Sequence, residues 1–240
     1  MLPILYQDDH IIAVHKPSGL LVHRSVLDWH ETRFAMQIVR DQIGQKVYPV
    51  HRLDKGTSGV LLFALSPEAA RHLGQQFESH TLYKRYQALV RGFPEPSARI
   101  DYALKRRPDE IERAPHRADL PPQTAVTDYK RLQCYELPFC VDRYPTSRYA
   151  LVQLEPHTGR RHQLRRHLKH IAHPIIGDAS YGKGQHNRLF TEHFGSQRLL
   201  LACTVLEIRH PENDQILTLS APLAEEFTKL LHDLKVYEVK

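Results

Sequence analysis

His51-Arg52-Leu53-Asp54-Lys55-Gly56-Thr57-Ser58-Gly59 runs directly into Val60-Leu61-Leu62-Phe63-Ala64-Leu65. The first part is polar and Gly-rich and reads as a loop; Gly59–Leu65 is an apolar run of strand length and reads as a buried strand. A carboxylate in such a loop is held on a rigid scaffold yet stays accessible. Asp54 also lies between Arg52 and Lys55, and neighbouring positive charge favours the ionised form that a nucleophile or base requires. The other use of an Asp in a turn is as a cap or Asx-turn residue, and the loop alone does not separate the two.

Outward from this stretch, Ile4–Gln7 and Ile11–His15 read as strands parted by Asp8-Asp9, and Lys16-Pro17-Ser18-Gly19 as a turn. Thr32–Ile43 has helical spacing and is closed by Gly44. Ser66 as N-cap and Pro67 open a helix over Glu68–Phe77. Leu82–Arg91 is a strand, and Phe93 to Gln123, rich in Pro and charge, is expected to be a long loop. Strands resume at Ala125–Gln133 and Arg148–Glu155. Gly159–Ile171 carries Leu164, Leu168 and Ile171 on one helical stripe that Pro174 ends. Leu199–Arg209 and Ile216–Leu219 read as strands, and Pro222–Leu234 as a closing amphipathic helix. Mixed elements without a βαβ rhythm predict an α+β fold with a largely antiparallel sheet. At 240 residues the expectation is one domain over 1–240, in two halves.

The composition, 41% apolar and 25% charged, is that of an ordinary globular protein. No apolar run reaches the roughly 18 residues of a membrane helix, and no secretory signal opens the chain. Cys134, Cys140 and Cys203 show no CxxC spacing, which speaks against a disulfide framework or a thiolate zinc site and for a reducing cytoplasm. The net charge of +6 points to a polyanionic partner. From Pro156 to Gly177 there is no acidic residue, against five Arg or Lys and five His, an electrostatic footprint for phosphates or else a solvated helix face.

Within that block, a helix over Thr158–His167 would set Arg161 and Arg165 one turn apart, with Leu164 and Leu168 facing inward. Arg165 then borders the core, where an arginine calls for a carboxylate, and Asp54 is a candidate. A surface ion pair without functional weight is the alternative. Arg160, Arg166 and Lys169 are placed to meet phosphates. His167 and His170 are spaced to share a metal ion, but 17 histidines make chance clusters common and no carboxylate lies among them, so no metal is expected. Tyr83 and Tyr86, on the strand, are of ordinary core type.

Taken in order, four motifs resemble those of the RluA-type pseudouridine synthase family. They are Lys16-Pro17-x-Gly19-Leu20-x-Val22-His23; His51-Arg52-Leu53-Asp54-x-x-Thr57-Ser58-Gly59-Val60; Lys84-x-Tyr86 with Val90-x-Gly92; and Thr158-Gly159-Arg160-x-His162-Gln163-Leu164-Arg165-x-His167-Leu168 with His173-Pro174-Ile175-Ile176-Gly177-Asp178. The resemblance implies the pseudouridine synthase fold: a mixed, mostly antiparallel sheet flanked by helices around a central cleft. It implies an isomerase that detaches uracil from C1′ and rejoins it through C5, without cofactor or metal. Asp54 would be the catalytic carboxylate, Arg165 its partner, Tyr86 the residue stacking on the base and acting near C5, and Arg52 the residue entering the RNA helix as the target flips out. Arg160, Arg161, Arg166 and Lys169 would meet the backbone.

Tyr6-Gln7-Asp8, Arg40-Asp41-Gln42-Ile43-Gly44-Gln45, Arg143-Tyr144-Pro145-Thr146 and His193-Phe194-Gly195 resemble the members acting on tRNA at uridine 65 in the T-stem. Ribosomal RNA, a non-catalytic RNA-binding module and a glycoside hydrolase are the alternatives, the last normally needing two opposed carboxylates. A monomer without a separate S4-type domain is expected. His15 stands where an Asn or Asp is usual, and Lys55-Gly56 replaces a commoner pair ending in Pro, which is expected to loosen the loop.

Overall fold

In the computed structural model, which describes residues 1–24, 30–79, 81–106, 121–141 and 143–239, the chain builds a single sheet. In chain order the elements are β1 (Ile4–Gln7), β2 (Ile11–Lys16), α1 (Ala35–Ile43), β3 (Tyr48–Pro49), β4 (Ser58–Ala64), α2 (Pro67–Glu78), β5 (Lys84–Arg91) and β6 (Ser97–Asp101). Then come β7 (Val126–Leu137), β8 (Ser147–Pro156), α3 (Gln163–His170), α4 (Gly184–Phe194), β9 (Leu201–Arg209), β10 (Ile216–Ser220), α5 (Glu225–Leu234) and β11 (Glu238–Val239). Local chemistry sets the helix ends. Ser66 Oγ accepts from the Ala69 amide at 3.1 Å to open α2, and Gly44, in the left-handed region at φ 66°, closes α1.

The main path through the sheet is β1-β2-β4-β9-β5-β8-β7-β11, with β3 on β4, β10 on β9 and β6 on β7. Every pairing is antiparallel except β4 with β9, a parallel seam of Ser58↔Ala202 and Gly59↔Cys203. β4 is buried at all seven positions, as a strand with neighbours on both edges and helices over it must be. At the seam Gly59 has φ 111°, and a Cβ there would lie 2.0 Å from the Cys203 carbonyl oxygen, so only glycine fits. The α+β, mostly antiparallel expectation is what the chain adopts. One core lies around β2, β4, α1 and α2. A second packs α4 and α5 on one face of the β5–β8–β7 region, and a third packs α3 on the opposite face.

Three details differ from the sequence reading. Within the expected loop 93–123, residues 97–101 form β6 on the edge of β7, although 107–120 lie outside the described residues. α4 was not expected; His186, Leu189 and Phe190 give it an apolar side, but the histidine and the opening glycine disguise the pattern. α3 begins at Gln163 rather than Gly159, because His162 takes the left-handed conformation at φ 54°. Gln163 Oε1 accepts from the Arg160 amide and from Thr158 Oγ1, fixing that approach as a turn. Among the described residues no helix is long and apolar enough to cross a membrane.

Candidate active site

The loop bearing Asp54 is held from two sides. Gly19 N–H and Lys16 Nζ donate to the Lys55 carbonyl at 2.8 and 3.1 Å, and Ser18 Oγ donates to the Gly56 carbonyl at 2.7 Å. Lys16 is wholly buried and donates to the Pro17 and Leu20 carbonyls as well. Burial brings its pKa down to about 7, against the opposing pull of Asp54. On the other side the Leu62 amide donates to His51 Nε2 at 3.0 Å, and the imidazole stacks on Phe77 with centroids 4.7 Å apart. Burial pushes His51 down to about 3, so the ring is the neutral acceptor that this bond requires. The expectation of a loosened loop fails here: a Cβ at Gly56 would lie 2.9 Å from that of Leu199, so the position is closely packed.

Arg165, on α3, reaches across 111 residues of sequence to Asp54, its Nη1 donating to Oδ2 at 3.0 Å. Its other two donors are committed elsewhere. Nε and Nη2 form a fork on Asp178, at 2.7 Å to Oδ2 and 2.9 Å to Oδ1. Asp178 Oδ1 also accepts the Ser180 and Tyr181 amides at 2.9 Å each. Gly177, just before it, has φ 78°, and a Cβ there would meet the Arg198 carbonyl at 1.8 Å. Burial alone would raise the Asp178 pKa, but the Arg165 fork and the two amides outweigh it and hold the carboxyl below its ordinary value. Burial alone would lower Arg165, but Asp178 and then Asp54 outweigh that and keep it above its ordinary value. Arg165 is thus a charged, fixed bracket between two carboxylates.

His162 completes this wall. Its Nδ1 lies 3.0 Å from Tyr181 Oη and its Nε2 3.7 Å from Asp54 Oδ1. Burial lowers its pKa, with Asp54 opposing and Arg165 and Arg161 reinforcing the shift, which favours the neutral ring. If Tyr181 donates to Nδ1, the ring proton sits on Nε2 and faces Asp54. Tyr86 stands on β5 beside a bulge at Arg85/Tyr86 against β9, a device that re-aims side chains. Burial raises its pKa well above the ordinary tyrosine value, with Cys203 and Asp54 adding to the shift, so the phenol stays protonated.

Two hollows meet at this wall. A cleft of about 1120 Å³ runs past Asp54, Arg161, Asp178, Arg198 and Lys229. A pocket of about 130 Å³ contains Tyr86, Lys84, Thr158 and Leu201. Arg52, Leu53, Asp54, His162 and Arg165 line both. Of the residues expected from sequence, Asp54, Tyr86 and Arg165 come together at the small pocket. Arg52 is exposed at the junction. Arg161 lines the cleft and Arg160 the pocket, its Nε donating to the Thr124 carbonyl at 3.1 Å. Lys169 lines neither hollow; it is exposed, its ammonium 5.8 Å from the Tyr181 ring centroid. Arg166 lies outside both hollows, turned to the Lys105 carbonyl at 3.0 Å. Asp178 was missed as a site residue; the signal was the core-edge arginine, whose fork has room for a second carboxylate. Among the described residues no three His, Cys, Asp or Glu side chains converge on a metal position.

Comparison with known proteins agrees with this architecture. A family model described as RNA pseudouridylate synthase matches residues 10–170. The chain is 54% identical over 231 residues to the tRNA pseudouridine synthase C of Pasteurella multocida (strain Pm70), covering 96% of this chain and 95% of that one. It is 49% identical over 233 residues to the protein of the same name from Vibrio cholerae, covering 97% and 96%. Among solved structures, human RNA pseudouridylate synthase domain containing 4 superposes with a TM-score of 0.71 at 27% identity, over 97% of this chain and 93% of that one. Human RNA pseudouridylate synthase domain containing 1 shares the fold at 23% identity, also with a TM-score of 0.71, over 98% and 95%.

Proposed function

The chain belongs to the RNA pseudouridylate synthase family, and from that premise we propose that it isomerises uridine 65 in the T-stem of tRNA, with Asp54 as the carboxylate that acts at the sugar. It is an RNA pseudouridine synthase, an isomerase. The tRNA substrate is supported by full-length likeness to proteins named for it; position 65 rests on the resemblances at Tyr6, Arg40, Arg143 and His193.

One observation carries the catalytic reading: Asp54 is oriented by a forked arginine at the entrance to a pocket floored by a tyrosine. About 130 Å³ is well under the ~300 Å³ of a typical small-molecule site, and suits one flipped base. The nucleotide leaves the stem, its base enters the pocket against Tyr86, and its ribose meets Asp54. Arg165 holds Oδ2, so Oδ1 works on the sugar. The N1–C1′ bond breaks, the uracil turns, and C5–C1′ forms; the proton lost from C5 is matched by the one gained at N1, so no cofactor is required. Tyr86 acts through its ring, because burial keeps its phenol protonated and so unable to accept the C5 proton. Arg52 fills the gap in the stem, and Arg160, Arg161, Arg166 and Lys169 offset flipping through phosphate contacts. We take the enzyme as a cytoplasmic monomer of one catalytic domain, supported by its single sheet and the absence of a disulfide among the described residues.

The test is tritium release from tRNA transcripts labelled at uridine C5, with wild type and Asp54→Ala. Release that maps to position 65 and stops without Asp54 supports the proposal. Release only from ribosomal RNA overturns the tRNA reading.

A further inference from the structure

On α3, Arg165 and Lys169 look toward Asp178 and Tyr181, while Arg166 and His170 occupy a different row, about a third of the way round the helix. That second row meets residues 102–106, which follow β6 and pair back at Leu104↔Gln123. This segment is pinned to α3. His167 Nε2 bonds the Tyr102 carbonyl at 3.0 Å, and Arg166 Nη2 donates to the Lys105 carbonyl at 3.0 Å. These bonds fix Tyr102 with its ring stacked on His170, centroids 3.6 Å apart and planes within 14°.

The stacked pair is on the surface. Tyr102 is 44% exposed, and His170 and Lys105 are exposed too. A single exposed tyrosine is ordinary, but one ordered on a second ring presents a flat apolar face to solvent. Lys105 and Arg106 follow Tyr102 closely in the chain, and Arg166 reaches the Lys105 carbonyl from α3, with Asp101 on the side of His167. The His167 pKa is lowered first by burial, against the opposing bond to the Tyr102 carbonyl, with nearby Arg166 adding to the shift.

We propose that Tyr102 and His170, with Lys105 and Arg106, form a second RNA-binding surface that stacks an unpaired base of the substrate away from the catalytic pocket. The inference rests on the RNA-modifying reading above and extends it. The surface lies on a different row of α3 from Arg165, and none of its residues lines the cleft or the pocket, so it takes a nucleotide other than the flipped one. Aromatic stacking tolerates any base, and the nearby cations take the flanking phosphates. Such a contact favours an RNA with a loop beside its stem over a bare duplex.

The test compares wild type, Tyr102→Ala, Tyr102→Phe and Lys105→Ala on full-length tRNA transcripts and on a short T-stem hairpin, reading kcat and KM separately and tRNA affinity by fluorescence titration. Stacking of one base is worth about 1–3 kcal/mol, so Tyr102→Ala is expected to weaken tRNA binding and raise KM by about 5- to 160-fold with kcat retained. Tyr102→Phe keeps the ring and should bind as wild type does. Lys105→Ala, which leaves the carbonyl holding Arg166 intact, should lower affinity and reduce the salt slope by about one, and it decides the matter if Tyr102→Ala fails to fold. Unchanged affinity in Tyr102→Ala and Lys105→Ala overturns the proposal. If wild type forms no pseudouridine in tRNA, the substrate reading falls, and the affinities still judge this surface on their own.

Discussion

Arg165 grips Asp178 through Nε and Nη2 at 2.7 and 2.9 Å; Arg99, on β6, grips Asp128, on β7, through the same two atoms at 2.7 and 2.8 Å. The geometries match, and the surroundings do not. The side chains of Arg165 and Asp178 are 12% and 0% exposed, those of Arg99 and Asp128 62% and 34%. In water a fork gains little over its solvated parts, and exposed pairs contribute about 0–1 kcal/mol. Under cover the same fork cannot lose one partner without leaving a buried charge, which costs about 3–5 kcal/mol. Geometry therefore does not rank these pairs. What ranks them is burial and whether a third group, here Asp54, hangs on the arginine.

The sharpest division is in activity. Asp54→Ala should lower kcat by at least about 10⁴-fold, the scale for losing a member of a catalytic unit, while its thermal midpoint stays near that of wild type; an active variant would remove the reason for the buried fork. Next comes Arg165→Lys. A lysine keeps the charge but has no planar fork to hold two carboxylates, so kcat should fall by about 10²-fold through misplacement of Asp54, with KM for tRNA little changed.

Asp178→Asn breaks the buried fork itself, and urea unfolding should show a loss of about 3 kcal/mol at neutral pH. That loss has a pH signature. Because the folded pKa of Asp178 is depressed, the stability it supplies is present above the ordinary carboxylate value of about 3.9 and is lost as pH falls through that value toward the lower folded one. The gap between wild type and Asp178→Asn should therefore narrow as pH falls below about 4; a gap independent of pH would break the comparison. The smallest effect is Arg99→Ala, expected within about 1 kcal/mol of wild type and with unaltered tritium release, although His157 also pairs with Asp128 at 2.7 Å. A large loss there would mean that exposure does not separate the two forks.

The same contrast explains what the sequence could tell. A glycine-rich loop before an apolar strand and an arginine on the edge of an apolar stripe are one-dimensional patterns that made Asp54 and Arg165 candidates, but only the family resemblance chose between the alternatives each left open. Asp178 carries no such mark: its role depends on Gly177 bringing the chain against the Arg198 carbonyl, a contact no local pattern encodes. His162 stood in a cluster that periodicity treats as helical, yet its left-handed backbone turns it to Tyr181 and Asp54 instead. β6 hid in a Pro- and charge-rich stretch because an edge strand needs only alternate burial, here Ile100 alone. The sheet's antiparallel character followed from the missing βαβ rhythm, but the parallel seam between β4 and β9 did not.

That seam has a consequence for how the molecule comes into being. β9 lies between β4 and β5, two strands that leave the ribosome far ahead of it. From Ala64 to Leu201 the growing chain carries Ser58 and Gly59 of β4 without the strand that pairs them, while β3 already covers Phe63 and Ala64, for on the order of ten seconds at ~5–20 residues per second. Contacts this distant in sequence slow folding and leave strand edges open to wrong partners. Asp54, at the head of β4, and Tyr86, on β5, are brought to one pocket only after β9 has slid between their strands. The base pocket, which Leu201 of β9 helps to line, is thus closed only when that strand is in place.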